Sequence, residues 1–242
     1  MALNVEAIKK LTGANDVVAN IWLPYFNTML SKYGINTKER IVAFLSQLGH
    51  ESGGLLYTTE IWKPTEVQKT YEGRANLGNN KVGDGERFKG RGLIQITGRA
   101  NYQSFKDKYG IDVINNPSLL GGQYATNSTK EQLKNSLLAS IWFWDRANLN
   151  TLADKFDLTK PINEKNNLDT ITRITRVING GTNGLSDRIN KFEVGRNYIK
   201  DQSIALSKYS KQNALPIILI SVGILALGIG GYILVKKKII KF

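Results

Sequence analysis

The sequence predicts a mainly α-helical body over residues 1–200, a linker at 201–213, one transmembrane helix at 214–235 and a basic tail at 236–242. This reading rests on three features. Apolar residues in the body recur at helical spacing behind residues that cap helices well. Runs of alternating polarity, the mark of strands, are nearly absent. Residues 214–235, ALPIILISVGILALGIGGYILV, run for 22 residues without a charge.

The elements follow in order. Asn15 or Asp16 can cap a helix carrying Val17, Val18, Ile21 and Trp22. Pro24 suits the first turn of a second segment, which runs to Lys32 and closes at Gly34. Thr37 can cap a third helix, in which Ile41, Phe44, Leu45 and Leu48 fall at i, i+3, i+4 and i+7. Residues 53–92 hold many glycines and few periodic apolar positions, so they predict a long loop region, and long loops inside compact domains are often functional. Helical patterns resume at about 99–109, 129–147, 167–178 and 185–209, and Leu93–Thr97 predicts a short strand.

The apolar run at 214–235 would span roughly 33 Å as a helix, enough for a hydrocarbon core of ~30 Å. KKKIIKF follows it, so Lys236, Lys237, Lys238 and Lys241 belong to the flank of a membrane span. The first fifteen residues, MALNVEAIKKLTGAN, carry no apolar signal core, and no export signal is expected. The lysines after the run belong on the cytoplasmic side, which would put the body outside. Either the body crosses by a route not visible in the sequence, or the anchor inserts tail-first and the body stays on the side where it was made.

Composition excludes several classes. With no Cys there is no disulfide scaffold, zinc finger, iron–sulfur cluster or thiol nucleophile, and a single His argues against a His-rich metal site. No metal and no cofactor are expected. The whole chain carries +13; residues 1–213 hold 29 Lys+Arg against 20 Asp+Glu, which leaves +9. Such a charge attracts an anionic target. No nucleic-acid motif appears and the lysines are scattered, so nucleic acid is not the expected partner.

Four features carry candidate chemistry. The apolar stripe 41, 44, 48 continues at helical spacing to Glu51, in the string GHESGG. A carboxylate that extends a buried stripe is partly desolvated, which suits a general acid. Glu60, in YTTEIW, is a second carboxylate, and glycoside hydrolysis uses two. Glu66, Glu72, Asp84 and Glu86 are rivals in the same region. The third feature is FKGRGLIQITGRANY, residues 88–102. Gly90 and Gly92 allow close backbone approach to a ligand, and Gln95, Thr97 and Asn101 are uncharged donors and acceptors of the kind that pair with sugars. Tyr102 offers an apolar face, and the string is not a phosphate loop. The fourth is ITRVINGGTNGLSDR, residues 174–188, where an Asn-Gly-Gly turn separates two helical patterns.

In combination and in this order these strings resemble glycoside hydrolase family 19, the chitinases and the related phage and bacterial endolysins. The matching strings are FLSQLGHESGG (44–54), YTTEIW (57–62), FKGRGLIQITGRANY (88–102), SIWFW (140–144) and ITRVINGG (174–181). The resemblance covers roughly residues 15–200 and is nearer the endolysin branch, with short loops and no Cys. It implies a lysozyme-like, two-lobed helical domain around a deep groove and an inverting mechanism. It makes Glu51 the general acid, Glu60 the second catalytic carboxylate and Thr97 a holder of the attacking water. It makes Gln95, Asn101, Tyr102, Asn179 and Arg188 substrate-binding positions. Arg188 matches an arginine near the acidic pair, whose charge favours the ionised form of a neighbouring carboxylate. Arg91 reads as structural, and His50 as a packing or hydrogen-bonding residue.

Residues 63–70, KPTEVQKT, depart from the family pattern, and the apolar run at 214–235 lies outside the family's domain. The expected substrates are β-1,4-linked N-acetylhexosamine polymers. The body charge favours the glycan strands of peptidoglycan over nearly neutral chitin. An endolysin-like body joined to a tail anchor suits the virion membrane of a membrane-containing phage, with a bacterial inner membrane as the alternative. A lytic transglycosylase is the rival enzyme, echoed by GLIQI (92–96), and a non-catalytic glycan-binding or structural virion membrane protein is the rival of another class.

Overall fold

A computed structural model describes residues 2–212, with side chains described as far as residue 201. The segments expected as a transmembrane helix, 214–235, and as a basic tail, 236–242, lie outside the described residues. Among the described residues no helix is long and apolar enough to cross a membrane.

The described chain is mainly helical. Its α-helices are α1 (Val5–Thr12), α2 (Asp16–Met29), α3 (Lys38–Glu51), α4 (Glu66–Lys69), α5 (Asp84–Arg87), α6 (Arg99–Tyr109), α7 (Lys130–Arg146), α8 (Leu149–Ala153), α9 (Lys165–Asn179) and α10 (Leu185–Gln212). The caps explain the starts. Asn15 accepts from the Val18 N–H at 2.9 Å, and Thr37 accepts from the Arg40 N–H at 3.2 Å. The patterns expected near 99–109, 129–147, 167–178 and 185–209 appear as α6, α7, α9 and α10. α10 continues through residues 201–212, where a linker was expected.

Two local expectations fail. Pro24 does not start a helix; it sits inside α2, which runs unbroken to Met29 before a short 3-10 turn at Ser31–Tyr33. A proline in a helix interior costs about 3 kcal/mol. Trp22 and Phe26, on either side of it, are both buried, and burying a side chain of that size contributes about 1.5–3 kcal/mol. Tertiary packing therefore wins. Leu93–Thr97 is not a strand either. Gln95 has φ 60°, which ends any extended run, and only Ile96 pairs, with Arg91.

The core is organised on α3, in which every residue from Ile41 to Gly49 is buried. Phe44 meets Trp144 of α7 edge-on, with ring centroids 5.1 Å apart. α1 crosses the other end so closely that a Cβ on Gly49 would lie 2.4 Å from the Thr12 carbonyl oxygen. Buried α3 thus fixes where its last residue, Glu51, emerges.

Residues 53–92 form the turn-rich region expected, broken by α4, α5 and a 3-10 turn at Ala75–Leu77. It is not loose. The chain leaving α3 is pinned by Ser52, whose hydroxyl donates to the Leu48 carbonyl at 2.6 Å and accepts from the Leu55 N–H at 3.0 Å. The Trp22 indole then donates to the Leu55 carbonyl at 2.9 Å. Farther on, Asp84, 1% exposed, pairs with Arg99 at the start of α6 and accepts from the Asn80 and Lys81 N–H groups, each at 3.1 Å. The Arg99 hydrogen bond, outweighing burial, holds the Asp84 carboxyl below its usual range.

A carboxyl lowered in the folded state contributes stability above the unfolded pKa, and that contribution is lost as pH falls through the folded value. The Asp84–Arg99 pair therefore acts fully above the ordinary value of 3.8 and fades in more acidic solution. Asp84→Asn is expected to lower unfolding free energy by about 2–3 kcal/mol at neutral pH, since it leaves Arg99 unpaired. Denaturant unfolding should show the gap to wild type narrowing below the ordinary carboxyl range; a gap that does not depend on pH would contradict the assignment.

Candidate active site

Glu51 is the last residue of α3 and its side chain is 17% exposed. Its Oε1 accepts from Nη2 of Arg188, on the first turns of α10. Arg188 is 1% exposed, and its Nη1 donates to Oε1 of Gln47, one turn before Glu51, at 2.5 Å. One buried guanidinium thus grips α3 at two successive turns. A parallel contact lies beside it: His50 Nδ1 is 2.7 Å from Asp187, whose other oxygen accepts from Lys191 at 2.7 Å. Burial would raise the Asp187 carboxyl, but Lys191 and His50 outweigh it and hold it below its usual range. Oε2 of Glu51 has no protein partner among the described residues.

Glu60 comes from an extended stretch that pairs at Thr59 with Arg91 and at Tyr57 with Tyr124. Its own N–H donates to the Gly90 carbonyl at 2.8 Å. Its carboxylate accepts from the Gly90 N–H at 2.9 Å, from the Gln68 amide at 2.9 Å and from the Tyr71 hydroxyl at 3.4 Å. All three partners donate. A Cβ on Gly90 would lie 2.7 Å from the Gln95 amide oxygen and 3.3 Å from Glu60 Oε2, so a side chain there would crowd both cleft residues and make the Gln95 amide move.

The two carboxylates face one open cleft of about 260 Å³, with Tyr57, Thr59, Ile61 and Gln95. The rival carboxylates are elsewhere. Glu66 pairs with Lys69, Glu72 accepts the Gly83 and Gly85 N–H groups, and Asp84 holds Arg99. Glu86 lies on a separate pocket.

The structure brings Glu51, Glu60 and Gln95 together on the cleft; Arg188 lies beneath Glu51, and Thr97, Asn101, Tyr102 and Asn179 do not line the cleft. Gln95 donates to the Gly92 carbonyl at 2.8 Å, and its amide oxygen has no partner among the described residues. Thr97, half-buried and outside the cleft lining, donates to the Gln95 carbonyl at 3.0 Å. Asn101 uses both ends of its amide, donating to the Thr97 carbonyl at 2.8 Å and accepting from Arg146 at 3.0 Å. Asn179 is exposed at the end of α9 and fastens its own turn, to Asn183 and Gly181.

Two expectations are corrected. Tyr102 offers no face to a sugar. It is 0% exposed, packed edge-on against Phe88, and its hydroxyl donates to the Lys89 carbonyl at 2.6 Å. Burial pushes that hydroxyl up to about 12. Arg188 was expected among substrate contacts, but it is buried beneath Glu51 and can act only through it. Arg91 is structural, as expected: it donates to the Arg87 carbonyl at 2.8 Å and the Tyr102 hydroxyl at 2.9 Å.

Sequence reasoning missed Gln47 and Gln68. Gln68 lies in KPTEVQKT, the segment that departs from the family pattern. Thr65 and Gln68 form a capping box there, a spacing readable in sequence. The reach of the Gln68 amide to Glu60 was not readable. Gln68→Leu should lower kcat by about tenfold to a hundredfold with little change in KM, because a carboxylate displaced by an ångström loses that much. Steady-state kinetics with a pH profile checks this; an unchanged kcat would show that Glu60 is placed without Gln68.

Comparison with known proteins gives the family. The profile of chitinase class I, glycoside hydrolase family 19, matches residues 14–198. A glycosyl hydrolase family 19 domain-containing protein of Haemophilus influenzae is 29% identical, over 67% of this chain and 81% of its own length. The acidic 27 kDa endochitinase of Solanum lycopersicum is 35% identical over 44% of this chain and 36% of its own. The crystal structure of a bacterial family 19 chitinase has a TM-score of 0.51 at 20% identity, over 81% of this chain and 94% of that one. A chitinase C mutant has a TM-score of 0.50 at 20% identity, over 79% and 74%. Matched along most of its described length, and with two carboxylates on one cleft, the chain belongs to glycoside hydrolase family 19 and is a chitinase-type glycoside hydrolase.

Proposed function

We propose that this enzyme is a peptidoglycan hydrolase of the endolysin type, cutting β-1,4 bonds between N-acetylated aminosugars by inverting acid/base hydrolysis. The observation that carries the reading is the unlike pair of carboxylates on one cleft. Glu51 has one oxygen on Arg188 and one without a partner; Glu60 is surrounded by donors. In this reading Glu51 gives a proton from Oε2, its open oxygen, to the leaving glycosidic oxygen, while Oε1 stays on Arg188. Glu60 takes a proton from the water that attacks the anomeric carbon from the opposite face. The water oxygen–carbon bond forms as the glycosidic bond breaks, and the proton moves from Glu51 to the sugar and from water to Glu60.

The unpartnered amide oxygen of Gln95, on the cleft, suits a sugar N–H or O–H. The charge of +9 on residues 1–213 supports peptidoglycan, which bears peptide carboxylates, over nearly neutral chitin. The uncharged run at 214–235 and the lysines after it support a single-pass anchor. On this reading the enzyme is a membrane-anchored lysin of a membrane-containing phage, acting on the host wall.

The test is lysis of purified walls by the full chain and by a chain shortened to residue 213. Glu51→Gln and Glu60→Gln should each lower the rate by about a hundredfold to ten-thousandfold. The full chain should travel with membranes and the shortened chain should not. Walls left intact by a wild type that digests chitin would overturn the substrate, and wild-type lysis by Glu51→Gln would overturn the acid.

A further inference from the structure

A second open pocket, of about 360 Å³, is lined by Gly83, Glu86, Arg87, Lys89, Arg91 and Pro117. It gathers three cations against one carboxylate. Two of the cations are held in place by neutral oxygens, so they keep their charge for another partner. Arg87 donates to the carbonyls of Ile114 and Asn115, each at 2.9 Å, and Arg91 to the Arg87 carbonyl and the Tyr102 hydroxyl. Lys89 has no carboxylate within ion-pair distance among the described residues. Its ammonium lies 5.7 Å from the Trp62 ring centroid. Burial and the Arg91 charge push Lys89 below its usual value, against the weaker opposing pull of Glu86 and Glu60. A half-buried ammonium beside a guanidinium is a place where an incoming anion relieves repulsion instead of creating it.

The pocket is linked to the catalytic cleft through the backbone at 89–91, although the two linings share no residue. Lys89 and Arg91 flank Gly90, whose N–H holds Glu60, and Arg91 pairs with Thr59 on the cleft. A glycan seated over Glu60 can therefore place a substituent against Lys89. We propose that this pocket is a specificity subsite for a carboxylate carried on the aminosugar strand, and that Lys89 is its principal contact. The inference rests on the peptidoglycan reading: a muramyl residue freed of its stem peptide bears a lactyl carboxylate on the strand itself, and one that keeps its stem carries the peptide's carboxylates farther out; chitin bears none.

The test compares kcat/KM on soluble chitin oligomers, on the same oligomers partly carboxymethylated, and on peptide-free peptidoglycan strands before and after methyl esterification. Wild type should favour each carboxylate-bearing substrate over its neutral counterpart by roughly threefold to tenfold, mainly through KM, the range of a partly screened ion pair. Lys89→Gln should bring that ratio toward one, and Lys89→Glu should bring it below one. A wild type that does not distinguish the pairs, or a ratio that survives in both variants, overturns the subsite. The two readings fail separately. Strands left uncut, with carboxymethylated oligomers still preferred, remove peptidoglycan and keep the subsite. Strands cut equally with and without the ester remove the subsite and keep peptidoglycan.

Discussion

The contact between Arg188 and Glu51 governs the geometry of the site. A guanidinium that is 1% exposed has lost nearly all its water, and such a charge is costly unless acceptors pair with it. Glu51 and Gln47 supply two, to Nη2 and Nη1 from successive turns of α3, while Nε has no partner among the described residues. The requirement runs in both directions. α10 must begin where Arg188 can reach α3, and α3 must end with a carboxylate at that spot. His50 and Asp187 repeat the link one residue earlier on each helix, with Lys191 closing it. The result is a carboxylate at the edge of the core, one oxygen committed and the other open to the cleft.

The opposite wall depends on backbone, not on buried helix. The 57–60 stretch has no strand partner longer than isolated bridges, at Tyr57–Tyr124 and Thr59–Arg91. Its order comes from reciprocal bonds between Glu60 and Gly90, one through the backbone and one through the side chain, and from the α4 capping box that aims Gln68. The chemical contrast between the two carboxylates follows from this difference in support. One is tied to a charge inside the core; the other is ringed by neutral donors on a turn-rich arm.

Much of this is legible in the sequence, and the reasons differ by residue. Periodicity and caps locate α3, α6, α7, α9 and α10, although α3 is buried on every side from Ile41 to Gly49 and so hides more than the stripe its pattern predicts. The stripe 41, 44, 48, 51 by itself places Glu51 at the core edge. Glu60 is legible only through its resemblance to the family, since four other carboxylates share its region and spacing alone does not separate them. Pro24 misleads because its local cost is outweighed by Trp22 and Phe26, which act through tertiary contacts. Gln95 breaks the expected strand through a single backbone angle. Tyr102 and Arg188 are rightly placed near the site by their strings, but burial turns both inward, and burial of a polar residue is decided by partners distant in the chain. Gln47 and Gln68 lie in plain sight as helix residues; their reach to Arg188 and Glu60 exists only after folding.

Two carboxylates on one cleft, one protonating the leaving sugar and one activating water, require that a solvent oxygen enter the product. Wall digestion in isotope-labelled water, read by mass spectrometry, puts that requirement to the test. The expected products have new reducing ends that each carry one labelled oxygen. Products that end in unlabelled anhydro sugars would show that no water attacked, and would contradict the assignment of Glu60 as the base that activates water.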